Sequence, residues 1–215
     1  LQESTAHVNA AVAAALPGFA TRTSTQFFVA SRFPIVDFHE PPRVLLADVD
    51  RSPRFVRATI DSVLGRLDVY NVHPISPREA LHNVRGEGLL VGLRTGSAFE
   101  GDRRVVARNT ALRRIQAQAI AELAAASRNP VLIAGDTNLP DPSRIFAETL
   151  GRWRDGFATV GLGFGYTFPV GRRGVWMRID RILAGPELRF LEFGVCRGRG
   201  SDHHCVWAEL ERPPG

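Results

Sequence analysis

The stretch PVLIAGDTN, residues 130–138, decides the fold. Pro130 leads into Val131-Leu132-Ile133-Ala134, a continuous apolar run of the kind that forms a buried strand. The run stops at the turn residue Gly135 and then presents a carboxylate, Asp136, and a carboxamide, Asn138, two residues apart. That spacing lets one oxygen bind a hard cation or a nucleophilic water while the amide steadies a phosphoryl oxygen. Asp and Asn are also ordinary turn formers after a strand, so the tetrad takes its meaning from its surroundings.

Just before this strand, residues 109–127 give the clearest helix. Leu112, Ile115, Ala119, Ile120 and Leu123 recur at helical spacing, with charged side chains elsewhere on the surface. Residues 74–108 are irregular in pattern and predict a long loop or insertion shaping a binding face. Further upstream, residues 55–63 and 67–73 read as a hairpin turning at Gly65-Arg66 and delivering Asn71 and His73 to a strand end. Residues 26–31 predict a strand ended by the Phe33-Pro34 turn. Residues 4–16 predict an Ala-rich helix capped by Ser4 or Thr5 and stopped by Pro17-Gly18. On the other side, residues 142–150 predict a short helix, and 176–183, 188–195 and 205–210 three more strands. Mixed strands and helices favour a layered body over an all-α or all-β one.

Composition agrees. The 215 residues are 44% hydrophobic and 23% charged, with 20 Gly and 14 Pro, which describes one folded domain, residues 1–215, rich in turns. Disordered, collagenous and coiled-coil chains are excluded. No run approaches eighteen apolar residues, so no membrane span is predicted within the sequence. The run after Leu1 is charged and helical, unlike a signal peptide. Localisation stays open between a secreted domain and one attached to an upstream anchor. The net charge of +5 admits nucleic acid, phosphorylated ligands or an anionic surface as partners. All 27 basic residues are Arg, which coding bias explains as readily as selection for phosphate binding. Cys196 and Cys205 are too few for a disulfide scaffold; they read as small core residues, with a pairing across neighbouring strands as the alternative.

Two further acidic points accompany Asp136. Asp180 sits in the alternating run MRIDRI, either buried and partnered by a His or solvated beside an Arg. Asp202 precedes His203 in GSDHH, and a carboxylate beside an imidazole suits metal-assisted acid–base chemistry. His204 alternates away from His203 and fits a structural role, whereas His73 reaches the same rim. The donors are rich in oxygen and amide groups, so Mg²⁺, Mn²⁺ or Ca²⁺ fits better than zinc. No GxSxG, Walker A or GxGxxG sequence is present, which removes the commonest serine-hydrolase, NTPase and dinucleotide readings.

The ordered set LQE (1–3), SRFPI (31–35), YNVHP (70–74), AGDTN (134–138), RIDRIL (178–183) and SDHHCV (201–206) resembles the endonuclease/exonuclease/phosphatase superfamily. The resemblance implies an α+β fold of DNase I-like type, a four-layer α/β/β/α sandwich. It implies Glu3 as the principal metal-binding glutamate, with Asp136, Asn138 and Asp202 completing the metal set. Asp136 and Asn138 would activate water and contact the phosphate. His203 would be the catalytic histidine supported by Asp180, and His73 the second active-site histidine. Family members open with a strand upstream of LQE whose Asn joins this network. The sequence starts at LQE, so the expectation is a longer parent chain, or else a sheet short of an edge and a site short of a ligand.

The resemblance implies a metal-dependent phosphodiester hydrolase. A DNA nuclease is favoured by the charge and by Arg103, Arg104, Arg108, Arg113 and Arg114 near the irregular segment, with Arg172, Arg173 and Arg178 near Asp180. Arg104, Arg108, Arg178, Asn71 and Asn138 are the expected substrate contacts; each Arg cluster also reads as a solvated face. The alternatives are a phosphatase or phosphodiesterase for a small or lipid-linked phosphate, and an inactive binding module. No protein partner is predictable.

Overall fold

The computed structural model describes residues 1–46, 49–50, 52–77, 98–170, 174–197 and 200–214. Helix α1 (Ala6–Ala15) is capped by the Thr5 side chain, which accepts from the Val8 N–H, and none of its residues is buried. Strands β1 (Ala20–Ser24) and β2 (Phe27–Ser31) form an antiparallel hairpin. They are followed by β3 (Ile35–His39), a small pair β4 (Leu45–Leu46) and β5 (Val49–Asp50), and the long hairpin β6 (Phe55–Ser62) and β7 (Gly65–Val72). Then come α2 (Ala98–Ala125), β8 (Val131–Asp136), α3 (Arg144–Thr149), β9 (Arg154–Asp155), α4 (Gly156–Val160) and β10 (Asp180–Ala184). The hairpin β11 (Arg189–Cys196) and β12 (Cys205–Glu211) closes the order.

Six strands make the central sheet in the order β3-β6-β7-β8-β10-β9. Among the described strands only the β7–β8 pair is parallel, with Asn71 opposite Ala134; its crossover contains α2. Alternation along the strands makes two cores. On one face Phe55, Tyr70, Val72, Val131, Ile133 and Leu183 pack with Ala117, Ile120 and Ala124 of α2 and with Ile145, Leu150 and Trp153. The Tyr70 hydroxyl donates to the Leu123 carbonyl at 2.9 Å, so the ring is buried with its polar end satisfied. On the other face Leu67, Val69, Leu132, Ile182 and Ala184 meet Leu188, Phe190, Ala208 and Leu210 of the β11–β12 hairpin.

The result is an α+β sandwich with a mixed sheet between helices and a second layer, as expected. Outside the central sheet the described residues form two further antiparallel hairpins, β1–β2 and β11–β12. The backbone of Leu1 exchanges both hydrogen bonds with Phe28, so the LQE segment lies alongside β2.

Several sequence expectations need correction. The long helix starts at Ala98 instead of residue 109. Its first turns carry Glu, Asp and Arg with no apolar stripe, so good helix formers were hidden from a periodicity argument. The rest of the expected loop, residues 78–97, lies outside the described residues. The β6–β7 turn falls at Val63-Leu64, and Gly65 opens β7 with a φ of +86°. The strand expected at 176–183 begins only at Asp180, preceded by one bridge between Met177 and Phe168. Cys196 and Cys205 stand opposite each other at the last rung of β11–β12 and form a disulfide, with Cα atoms 5.1 Å apart. Their half-exposed, cross-strand placement overturns the core reading. Among the described residues no helix is long and apolar enough to cross a membrane.

Candidate functional site

Asp136 ends β8 and Asp180 begins β10, and the two are direct partners across the antiparallel ladder. Gly135 makes this strand end possible. Its φ is +139°, and a Cβ there would lie 2.3 Å from the Val72 carbonyl oxygen, so only glycine allows β7 and β8 to close together here. After Asp136 the chain turns through Asn138, held at a φ of +51°. Asn tolerates that left-handed conformation better than most residues. Its N–H donates to Asp136 Oδ1 at 2.7 Å and its Nδ2 donates to the Pro74 carbonyl at 2.8 Å. Arg113 donates to the Asn138 carbonyl from α2.

The Asp136 carboxylate stands between two imidazoles. Its Oδ2 is 3.8 Å from Nε2 of His73 and 4.0 Å from Nε2 of His203. The two histidines are held differently. His203 Nδ1 is 2.8 Å from Asp180 Oδ2, and its ring packs against Phe168 with centroids 4.6 Å apart. His73 Nδ1 is 2.7 Å from the neutral amide oxygen of Gln26, its backbone N–H donates to the Arg54 carbonyl, and its Nε2 lies 3.5 Å from Glu3.

These surroundings separate the titrations. Burial pushes the Asp136 carboxyl up to about 7, assisted by the charge of Asp180. Burial holds His73 below the ordinary imidazole range despite the Glu3 carboxylate. Burial also pulls on His203, but the Asp180 hydrogen bond and the charges of Asp180, Asp136 and Asp202 outweigh it and raise the imidazole. Asp136 and His203 stand 4.0 Å apart, so the protonation of each depends on that of the other.

The Asp136 shift has a testable sign. A carboxyl with a folded-state pKa above its unfolded value binds the proton more tightly when folded, so stability falls as pH rises from about 4 to about 7. Urea unfolding of the metal-free protein across that window should show a decline that Asp136→Asn flattens. Parallel curves for the two proteins contradict the assignment.

The donor chemistry of Glu3, Asp136 and Asn138 fits a hard divalent cation: two carboxylates and an amide, with the Asp180 charge beside the buried Asp136. The expected ligand set is nevertheless not drawn together. Among the described residues no three His, Cys, Asp or Glu side chains are grouped closely enough to hold one ion. The physical reason lies with Glu3, whose side chain is 77% exposed and contacts Nε2 of His73. Asp202 is exposed beside His203, and its carbonyl accepts from the Val170 N–H.

The substrate contacts expected from sequence fare unevenly. Arg178 is buried, with Nη1 donating to both Asp155 oxygens at 2.8 and 2.7 Å and its remaining nitrogens donating to Asp141. That is a correction: its guanidinium is consumed inside the fold. Asn71 is likewise buried, bonded to Gln2 and to the Leu1 carbonyl. Arg113 serves Asn138, and Arg114 pairs with Glu148. Arg103, Arg104 and Arg108 are exposed on α2, and Arg172 and Arg173 lie outside the described residues. Gln26 and Thr167 were missed. Thr167 is fully buried and its Oγ1 accepts from the N–H groups of Ile179 and Asp180 at 3.3 Å. Nothing local marks Gln26, because its partner is 47 residues away.

The sequence from residue 1 to 203 matches the description "Endonuclease/Exonuclease/phosphatase family". The chain belongs to that family. Solved structures share its fold. A family protein from Bacteroides vulgatus superposes with a TM-score of 0.64 at 14% identity, covering 99% of this chain and 83% of that one. A mannosyl-6-phosphatase from Bacteroides thetaiotaomicron gives 0.63 at 16% identity, covering 97% and 83%. A humanized TDP2 of D. rerio gives 0.62 at 15% identity, covering 98% and 84%. No curated protein matches the sequence. Divalent metals are common among members of the family.

Proposed function

We propose that this family member is a divalent-cation-dependent phosphoester hydrolase acting on a nucleic-acid backbone. The observation that carries the reading is Asp136 between two imidazoles, one braced by a carboxylate and the other by a neutral amide. Environments that drive titratable neighbours apart suit acid–base work near neutral pH. With Nδ1 of His203 donating to Asp180, its Nε2 faces Asp136, and the two move the proton of an attacking water. With Nδ1 of His73 donating to Gln26, its Nε2 is an acceptor on the opposite side of the carboxylate. Glu3, Asp136 and Asn138, with Asp202 at the rim, are the residues to hold Mg²⁺, Mn²⁺ or Ca²⁺, which when bound supplies positive charge for phosphoryl oxygens. Attack is in line, with no covalent enzyme intermediate.

A second reading, a phosphatase or phosphodiesterase for a small or lipid-linked phosphate, is favoured by one finding. Arg113, Arg114 and Arg178 are satisfied within the fold, which thins the cationic track a long duplex requires. The test is conversion of supercoiled plasmid to nicked circles with and without Mg²⁺ or Mn²⁺, beside hydrolysis of a phosphomonoester and a lipid pyrophosphate. Metal-dependent nicking supports the nuclease. Intact plasmid with a cleaved monoester or pyrophosphate replaces it with the second reading, and no hydrolysis at all leaves a binding module.

A further inference from the structure

Beside the segment carrying His203 lies a cavity of about 340 Å³ that the proposed acid–base chemistry does not use. Its lining includes Phe157, Phe193, Phe164, Tyr166, Arg197 and His204. The rings of Phe157 and Phe193 meet edge to face, with centroids 6.0 Å apart. Phe164 and Tyr166 stack within 13° of parallel at 5.3 Å, although Phe164 is 76% exposed. Gly165 between them has a φ of +62°, and a Cβ there would sit 2.4 Å from the Phe157 ring, so glycine is required for the arrangement. An exposed stacked pair has an uncovered flat face, and the cost of leaving it in water calls for an occupant.

Both walls of the cavity continue into the site. Tyr166 is followed by Thr167, which accepts from the Asp180 N–H, and by Phe168, which packs on His203. His204 follows His203 and donates its backbone N–H to the Thr167 carbonyl. Arg197 and His204 place cationic or hydrogen-bonding groups on an otherwise aromatic lining, the complement of a planar group attached to an anion. The volume admits one ring system with its sugar and excludes a base pair within a helix.

We infer that this cavity is a subsite for a single planar aromatic group, a nucleobase, on the non-leaving side of the phosphoester. The inference rests on the phosphoester reading of the site and names its substrate as nucleotidyl and unpaired. Aromatic stacking is sequence-tolerant, so the subsite selects a base without selecting which one.

The test compares two esters with the same leaving group, 4-nitrophenyl thymidine 5′-phosphate and methyl 4-nitrophenyl phosphate. It uses the protein with Mg²⁺ or Mn²⁺ and adds thymidine 5′-monophosphate binding followed by fluorescence. The nucleoside ester is expected to have a kcat/KM about tenfold higher or more, the size of one base on an aromatic side chain. Phe164→Ala and Tyr166→Leu should each bring the ratio of the two esters towards one and weaken nucleotide binding. Tyr166→Phe, which keeps the ring, should preserve the ratio and guards against a folding defect. Equal rates for the two esters, or a ratio untouched by both truncations, overturn the subsite while leaving the hydrolase standing. If neither ester is cleaved but the nucleotide binds and Phe164→Ala abolishes that binding, the hydrolase reading fails and the subsite survives. If the nucleotide neither binds nor reacts, the subsite is wrong.

Discussion

Replacing His203 with Ala is expected to lower kcat/KM for phosphoester cleavage by about 10²–10⁴, the usual size of a positioned acid–base group. The ring lies within reach of Asp136 and is fixed by Asp180, yet its side chain is a quarter exposed and supports no core. The loss should therefore appear in catalysis with little change in unfolding. Asp180→Asn supplies the complementary measurement. The Asp180 carboxylate is what holds the His203 imidazole up, so its neutral isostere should move the pH–rate profile towards acid, where His203→Ala should remove that limb. Steady-state kinetics across pH 5–9 (roughly two units either side of neutrality) separates the two. A His203→Ala protein with undiminished turnover rules out this histidine as a participant.

The largest effect on stability is expected at Asp155, in the buried cluster it forms with Arg178 and Arg181. Asp155 is buried and accepts from Arg178 and from Arg181, a fully buried guanidinium. It also caps α4 through the N–H groups of Phe157 and Ala158, at 3.0 and 3.3 Å. Asp155→Ala leaves two interior guanidiniums with Asp141, itself half exposed, as their remaining carboxylate. Breaking a buried ion pair from one side costs about 3–5 kcal/mol, because the stranded charge keeps its desolvation penalty. Urea denaturation should show a loss of that size. A loss under about 1 kcal/mol would mean that Asp141 or water compensates fully.

That cluster shows where reading the sequence succeeds and where it stops. The buried strand 131–134, its exit at Gly135 and the acidic residues beyond it follow from short-range pattern, and the structure places Asp136 and Asp180 side by side on neighbouring strands. The 55–73 hairpin was legible for the same reason: alternation along a strand is a local signal. Arg178 was misjudged because an Arg beside a candidate catalytic Asp looks like a phosphate ligand until its partners are known. Those partners, Asp141 in a turn and Asp155 in strand β9, lie 37 and 23 residues away. Gln26 eluded detection likewise, since only the folded β1–β2 turn brings it to His73. The first turns of α2 were missed because the sequence there carries no apolar stripe to mark them. The cysteine pairing depended on register, which two separated strands do not reveal in isolation.

The disulfide has a consequence for local unfolding. Cys196 and Cys205 close a covalent ring that contains Asp202, His203 and His204. Hairpins fray from their ends, and low-stability segments open without global unfolding. Here a β11–β12 pair fraying from Arg189 and Glu211 still terminates in a linked rung. His203 therefore stays within a short covalent ring joined to both strand ends at their last rung. The ring removes about 2–3 kcal/mol worth of unfolded-chain freedom, and it does so around His203, the histidine braced by Asp180. A segment that would otherwise exchange as an open loop becomes the tethered end of the hairpin.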